Sequence, residues 1–119
     1  MPAPVVGHAA ALLSEHQADI ERLCHEFQVR RISVVGSSMT SQFNPETSDI
    51  DLLVEYAPEA DLGPWLFRFA QLRRELETVL GHRVDLVTTT ALRDPAFGAE
   101  ARKTMTPVFH APEVAEIAR

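Results

Sequence analysis

Leu13, Ile20, Leu23, Cys24 and Phe27 recur at helical spacing, which predicts one amphipathic helix from about Ala9 to Gln28. "RRISVVG" then reads as a short strand ending at Gly36, and "SSMTSQF" as a candidate short helix. Asn44-Pro45 is a chain breaker inside "NPETS", and "SDIDLLVEY" is a second strand rich in β-formers. Trp65, Phe69, Leu72, Leu76 and Val79 return to helical spacing. With Pro64 suited to a first turn and Gly81 to the position past the end, they predict a helix over about Pro64 to Leu80. "HRVDLVT" is a third strand. Asp94-Pro95 is an N-cap and N1 pair for a helix over about Pro95 to Lys103. "TPVFH" reads as a last extended segment, and "PEVAEIAR" as a terminal helical turn or two. Strands alternate with helices, so the expected fold is α/β, or a compact α+β arrangement, with one small mixed sheet packed with helices.

Composition narrows this only in part. A chain of 119 residues without a long linker is expected to form one domain, 1–119, with a core that needs no staple. Lys and Arg number 11 against 17 Asp and Glu, a net charge of −6, which argues against general affinity for a nucleic-acid backbone. A nucleotide remains compatible, because a divalent cation can neutralise its phosphates. The single cysteine, Cys24, allows no internal disulfide and fits a reducing cytoplasm. It lies on the apolar stripe of the first helix and is expected to be core. The amino end shows neither a basic n-region nor an apolar run long enough for a span, so no signal peptide or membrane segment is expected. His8, His16, His25, His82 and His110 show no metal-ligand spacing, which speaks against zinc.

Asp49 and Asp51 open the second strand. Residues i and i+2 share a face, so two carboxylates should stand roughly 6–7 Å apart while Ile50, Leu52 and Val54 take the other face. Like charges at that distance raise each other's pKa unless a cation intervenes, and an oxygen-only donor set suits a hard ion such as Mg²⁺. Asp85, mid-strand among Val84, Leu86 and Val87, is the candidate third ligand. The plainer reading makes Asp49 and Asp51 solvated surface and pairs Asp85 with Arg83 or His82. Gly36-Ser37-Ser38, between a strand and a candidate helix, can present backbone N–H groups to a phosphate or can be an ordinary serine-capped turn. A phosphate turn followed by a paired-carboxylate strand matches the logic of two-metal phosphoryl transfer.

"VVGSS", then "SDIDLLVEY", a helix and "GHRVDLVT" together resemble the minimal nucleotidyltransferases of the DNA polymerase β superfamily, over about Arg31 to Pro107. Within that superfamily the chain is similar to the antitoxins encoded beside HEPN-domain ribonuclease toxins, whose usual ending resembles "ARKTMTPVFH". The resemblance implies a polymerase β palm-like fold and a two-metal reaction with Mg²⁺ that moves AMP from ATP to a tyrosine hydroxyl of a HEPN toxin. It implies that Gly36, Ser37 and Ser38 bind the nucleotide, and that Asp49, Asp51 and Asp85 are the catalytic metal ligands. It also implies a HEPN toxin as partner, in an oligomer or hetero-oligomer, while the net charge argues against direct nucleic-acid binding.

The turn departs from its relatives. They usually read Gly-Ser-Arg-Ala-Arg-Gly where this chain has Gly36-Ser37-Ser38-Met39-Thr40-Ser41, and no Lys or Arg lies between Arg31 and Arg68. Arginine makes bidentate charged contacts to phosphate that serine and threonine cannot reproduce. Three readings therefore stand: an AMP-transferring antitoxin, an antitoxin that neutralises its partner by contact alone, and a transferase for a small molecule. Arg68, Arg73 and Arg74 form one basic helical patch, a solvated face or a partner surface.

Overall fold

The computed structural model describes residues 7–36 and 49–111, with the side chains of residues 7–10 and Trp65 left out. The first helix is two: α1, Gly7–Glu15, and α2, Gln17–Glu26, with His16 between them at φ −111°, ψ 24°. The His16 N–H turns back to the Leu13 carbonyl at 3.2 Å, while the His16 carbonyl starts the next helix by accepting from Ile20 N–H at 2.9 Å. Leu13 and Ile20 both stay buried, so one apolar stripe serves both helices, and no Gly or Pro marks the break.

Strand β1 spans Val29–Val35 and β2 Ile50–Tyr56. The next helix starts later than its apolar spacing predicts. Pro64–Leu66 form a 3₁₀ turn, Leu66 takes a left-handed conformation (φ 54°), and α3 runs Phe67–Leu80. Gly81 closes it at φ 64°, its N–H bonded to the Glu77 carbonyl at 2.8 Å. Strand β3, Val84–Thr88, leads into a 3₁₀ turn over Thr89–Arg93 that local spacing did not reveal. Helix α4, Pro95–Thr104, starts where predicted, with the Asp94 carboxylate accepting from Phe97 N–H at 2.8 Å. Strand β4 is Thr106–His110. The candidate helix at "SSMTSQF", the "NPETS" turn, Phe43 and the terminal "PEVAEIAR" segment lie outside the described residues.

The four strands form one mixed sheet in the order β3-β2-β1-β4. β1 is antiparallel to β2 and β4, and β2 is parallel to β3. One face carries Ile32, Val34, Ile50, Leu52 and Val54 against Ile20, Leu23, Cys24 and Phe27 of the α2 region and Leu72 and Leu76 of α3. Burial pushes the Cys24 thiol up to about 12, as befits a core residue. The opposite face carries Val35 and Leu53 under α4 and its preceding turn, through Ala101, Leu92 and Phe97. Among the described residues, no helix is long and apolar enough to cross a membrane.

Two of the basic residues on α3 serve the fold. Arg68 lies 4.2 Å above the Phe27 ring and donates to the Glu26 carbonyl at 3.1 Å. Arg73 pairs with Glu77 at 3.1 Å, and the same Glu77 oxygen accepts from Val84 N–H at 2.9 Å. This relay ties the first residue of β3 to α3, and so helps set where Asp85 falls.

Candidate active site

The alternation inferred for β2 holds. Ile50, Leu52 and Val54 point into the main core, and Asp51 shares the other face with Leu53. Parallel pairing then sets Asp51 directly beside Asp85, and antiparallel pairing sets Val35 beside Asp51 on the other side. Val35, Asp51 and Asp85 thus form one row across three strands, and the row ends at the Gly36 turn. Neighbouring strands lie ~4.8 Å apart, which brings the two carboxylates within reach of one ion.

Gly36 closes on this row. It adopts φ +73°, and a Cβ built there would stand 2.9 Å from Asp51 Oδ2. Only glycine lets the backbone turn left-handed that close to the carboxylate. Its N–H donates to Thr104 Oγ1 at 2.8 Å, and the Thr104 hydroxyl donates to the Glu100 carbonyl at 3.1 Å. β1 and β4 pair at Val34 and Thr106, so Thr104 continues that ladder with a side chain in place of a backbone carbonyl. The last residue of α4 therefore anchors the turn. Thr104→Val keeps the shape and leaves the Gly36 N–H without its acceptor, which is expected to cost about 1–2 kcal/mol by urea melts, whereas Thr104→Ser should cost under about 1 kcal/mol.

Electrostatics mark Asp51 as the strained member. Its carboxyl is pushed up to about 6 by burial first, then by the Asp85 and Asp49 charges. Oxygen-only carboxylates crowded around Asp51 are the donor chemistry that a hard divalent cation relieves, so these residues fit such an ion.

Asp49 adds an ion pair that its spacing did not reveal. It precedes β2, and its Oδ1 lies 3.0 Å from Arg83 Nε. Arg83 thus pairs with Asp49 and not with Asp85, because Ile50 aligns with Val84 and the residue before each lands beside the other. With Asp49 held on the guanidinium, the described residues contain no group of three metal-ligating side chains as placed. Sequence reasoning placed Arg83 only as a partner for Asp85, and it missed Thr104. For Arg83 the signal was available: it stands two residues before Asp85 as Asp49 stands two before Asp51. Ser37 and Ser38 of the candidate phosphate turn lie outside the described residues. A groove of about 780 Å³ lined by Tyr56, Leu62, Leu66, Phe69 and Val87 lies at the other ends of β2 and β3, away from the carboxylates.

Comparison with known proteins bears on this geometry. Residues 20–112 match the sequence profile of the nucleotidyltransferase domain. A protein adenylyltransferase, MntA, of Thermococcus cleftensis is 35% identical over 83 residues, covering 70% of this chain and 76% of its own. A solved structure described as a candidate minimal nucleotidyltransferase superposes with a TM-score of 0.64 at 29% identity, over 85% of this chain and 98% of that one. A structure of a tri-AMPylated HEPN toxin of Shewanella oneidensis in complex with an MNT antitoxin shares the fold, with a TM-score of 0.53 at 21% identity, over 88% of this chain and 78% of that one.

Proposed function

The chain belongs to the nucleotidyltransferase domain family, and from that premise we propose that it is an antitoxin that moves AMP from ATP onto a tyrosine hydroxyl of a HEPN ribonuclease toxin. The observation that carries the reading is the row of Asp51 and Asp85 in register, closed at one end by the Gly36 turn. The adenylyltransferase relative and the AMPylated toxin complex support the choice of AMP and of a protein acceptor.

In this reading the Gly36-Ser37-Ser38 turn holds the triphosphate, with the left-handed Gly36 letting phosphate oxygens approach the backbone. Asp49, Asp51 and Asp85 would hold the divalent ions, and two Mg²⁺ ions there would supply charge neutralisation for the transfer. Asp85, at the outer strand, accepts the proton of the acceptor hydroxyl. The acceptor oxygen bonds to the α-phosphorus in line, the α-phosphorus to bridging-oxygen bond breaks, and pyrophosphate leaves. Asp51, half-buried between the other two carboxylates, fixes the spacing of the site.

The direct test is co-expression with a HEPN-domain toxin, followed by intact-mass measurement of that partner. The expected result is added AMP groups that vanish when Asp85→Asn replaces the wild type. A second reading, neutralisation by contact alone, is favoured by Ser38 and Thr40 standing where relatives carry arginine. It would be the correct one if the partner were silenced in a stable complex with no mass added.

A further inference from the structure

The interval from Ile32 to Phe67 holds no Lys or Arg, so the phosphate turn brings no cation of its own along the chain. The sheet brings one from a distance. Parallel pairing of β2 with β3 sets Arg83 next to Asp49, and Ile50 N–H bonds to the Arg83 carbonyl at 3.0 Å, which pins that backbone to the start of β2. The guanidinium Nε lies 3.0 Å from Asp49 Oδ1, with side chains 60% and 46% exposed. Val84 points into the main core, so strand alternation puts Arg83 on the same side as Asp85. The result is three carboxylates and one guanidinium at the ends of two adjacent strands.

An exposed pair of this kind is weak and readily exchanged. A divalent cation on Asp49 repels the guanidinium that now holds it. Once released, the guanidinium stands across from Asp49 and on the side of β3 that carries Asp85, where a triphosphate bound with the cation would present its anionic oxygens. Arginine is the side chain best suited to take those oxygens in a forked, permanently charged contact. We infer that Arg83 is a phosphate-binding residue of this site, which exchanges Asp49 for the triphosphate of a nucleotide arriving with a divalent cation. The inference rests on the metal–nucleotide reading of the carboxylates, and gives that site an arginine from β3 in place of those absent from its turn.

Two binding measurements on the full chain test it, without recourse to turnover. Mn²⁺ alone is titrated by the loss of its free paramagnetic resonance signal. A non-hydrolysable adenosine triphosphate analogue with Mg²⁺ is titrated by calorimetry. Arg83→Gln is expected to bind Mn²⁺ as tightly as wild type or a few-fold more tightly, since the competing cation is gone, and to bind the analogue roughly tenfold more weakly. Arg83→Lys should recover part of the loss by keeping the charge without the fork. Analogue binding by Arg83→Gln equal to wild type would overturn the inference alone, as would an equal fold loss of Mn²⁺ and analogue. Wild-type protein that binds no analogue would overturn the metal–nucleotide reading itself, and the inference with it.

Discussion

Asp51→Asn is expected to lower AMP transfer by at least about 10³-fold and, in the absence of metal, to make the protein more stable at pH 8. The two effects have one origin. Asp51 sits half-buried between Asp85 and Asp49, and its carboxyl is held up at about 6, above the ordinary value of 3.8. A carboxyl whose folded-state pKa is raised binds its proton more tightly when folded than when unfolded. Its contribution to stability is therefore full below about pH 4, is lost as pH rises through 6, and is absent at pH 8. The asparagine carries no charge and escapes that loss, so the variant should melt with wild type near pH 4 and above it at pH 8. The gap at pH 8 should approach about 1–3 kcal/mol, the lower part of the range applying where water reaches the carboxylate. Thermal melts in chelator at the two pH values measure it. Adding Mg²⁺ should raise the wild-type midpoint at pH 8 and leave the variant nearly unmoved, since an ion that binds only the folded site stabilises by mass action. Equal midpoints for the two proteins at both pH values would refute the account of Asp51 as the strained member of the row.

The second large effect is expected at Gly36. Gly36→Ala must place a Cβ 2.9 Å from Asp51 Oδ2 while keeping φ at +73°. The left-handed conformation costs a non-glycine residue about 1–2 kcal/mol, and relief of the contact has to come from the Asp51 side chain or the turn. Either movement misplaces the carboxylate proposed to hold metal against the turn proposed to hold phosphate. An error of about 1 Å in such a site costs on the order of 10²-fold, so transfer should fall by that factor while the protein still folds. Urea unfolding and single-turnover transfer to the partner, measured on the same preparation, separate the two components. Transfer retained within about twofold of wild type would show that the turn does not need its close approach to Asp51.

These expectations differ in how early they could be formed. That Asp51 and Leu53 face one way, and Ile50, Leu52 and Val54 the other, follows from the two-residue period of any strand and was legible at once. The same holds for the α4 N-cap at Asp94, where local chemistry decides the outcome within one turn. The break at His16 and the left-handed Leu66 were not legible, because neither residue carries a local signal. Of the candidate site, the carboxylates were readable from their spacing, and their surroundings were not. Spacing alone left Arg83 or His82 as the partner for Asp85, whereas the structure pairs Arg83 with Asp49.

The sequence by itself determined the order of the four strands and the main helical stretches between them, the face that Asp51 shares with Leu53 and the glycine that ends β1, since all of these depend on neighbours within a few residues. Only the tertiary structure decided that β2 runs parallel to β3 in the register that sets Asp51 beside Asp85, that Arg83 lands on Asp49, and that the Thr104 hydroxyl holds the Gly36 amide. Register between strands some thirty residues apart is set by how helices pack across both faces of the sheet, here with Glu77 of α3 holding Val84 in place. No local period carries that information, so the distances that make this a site are a property of the packed molecule.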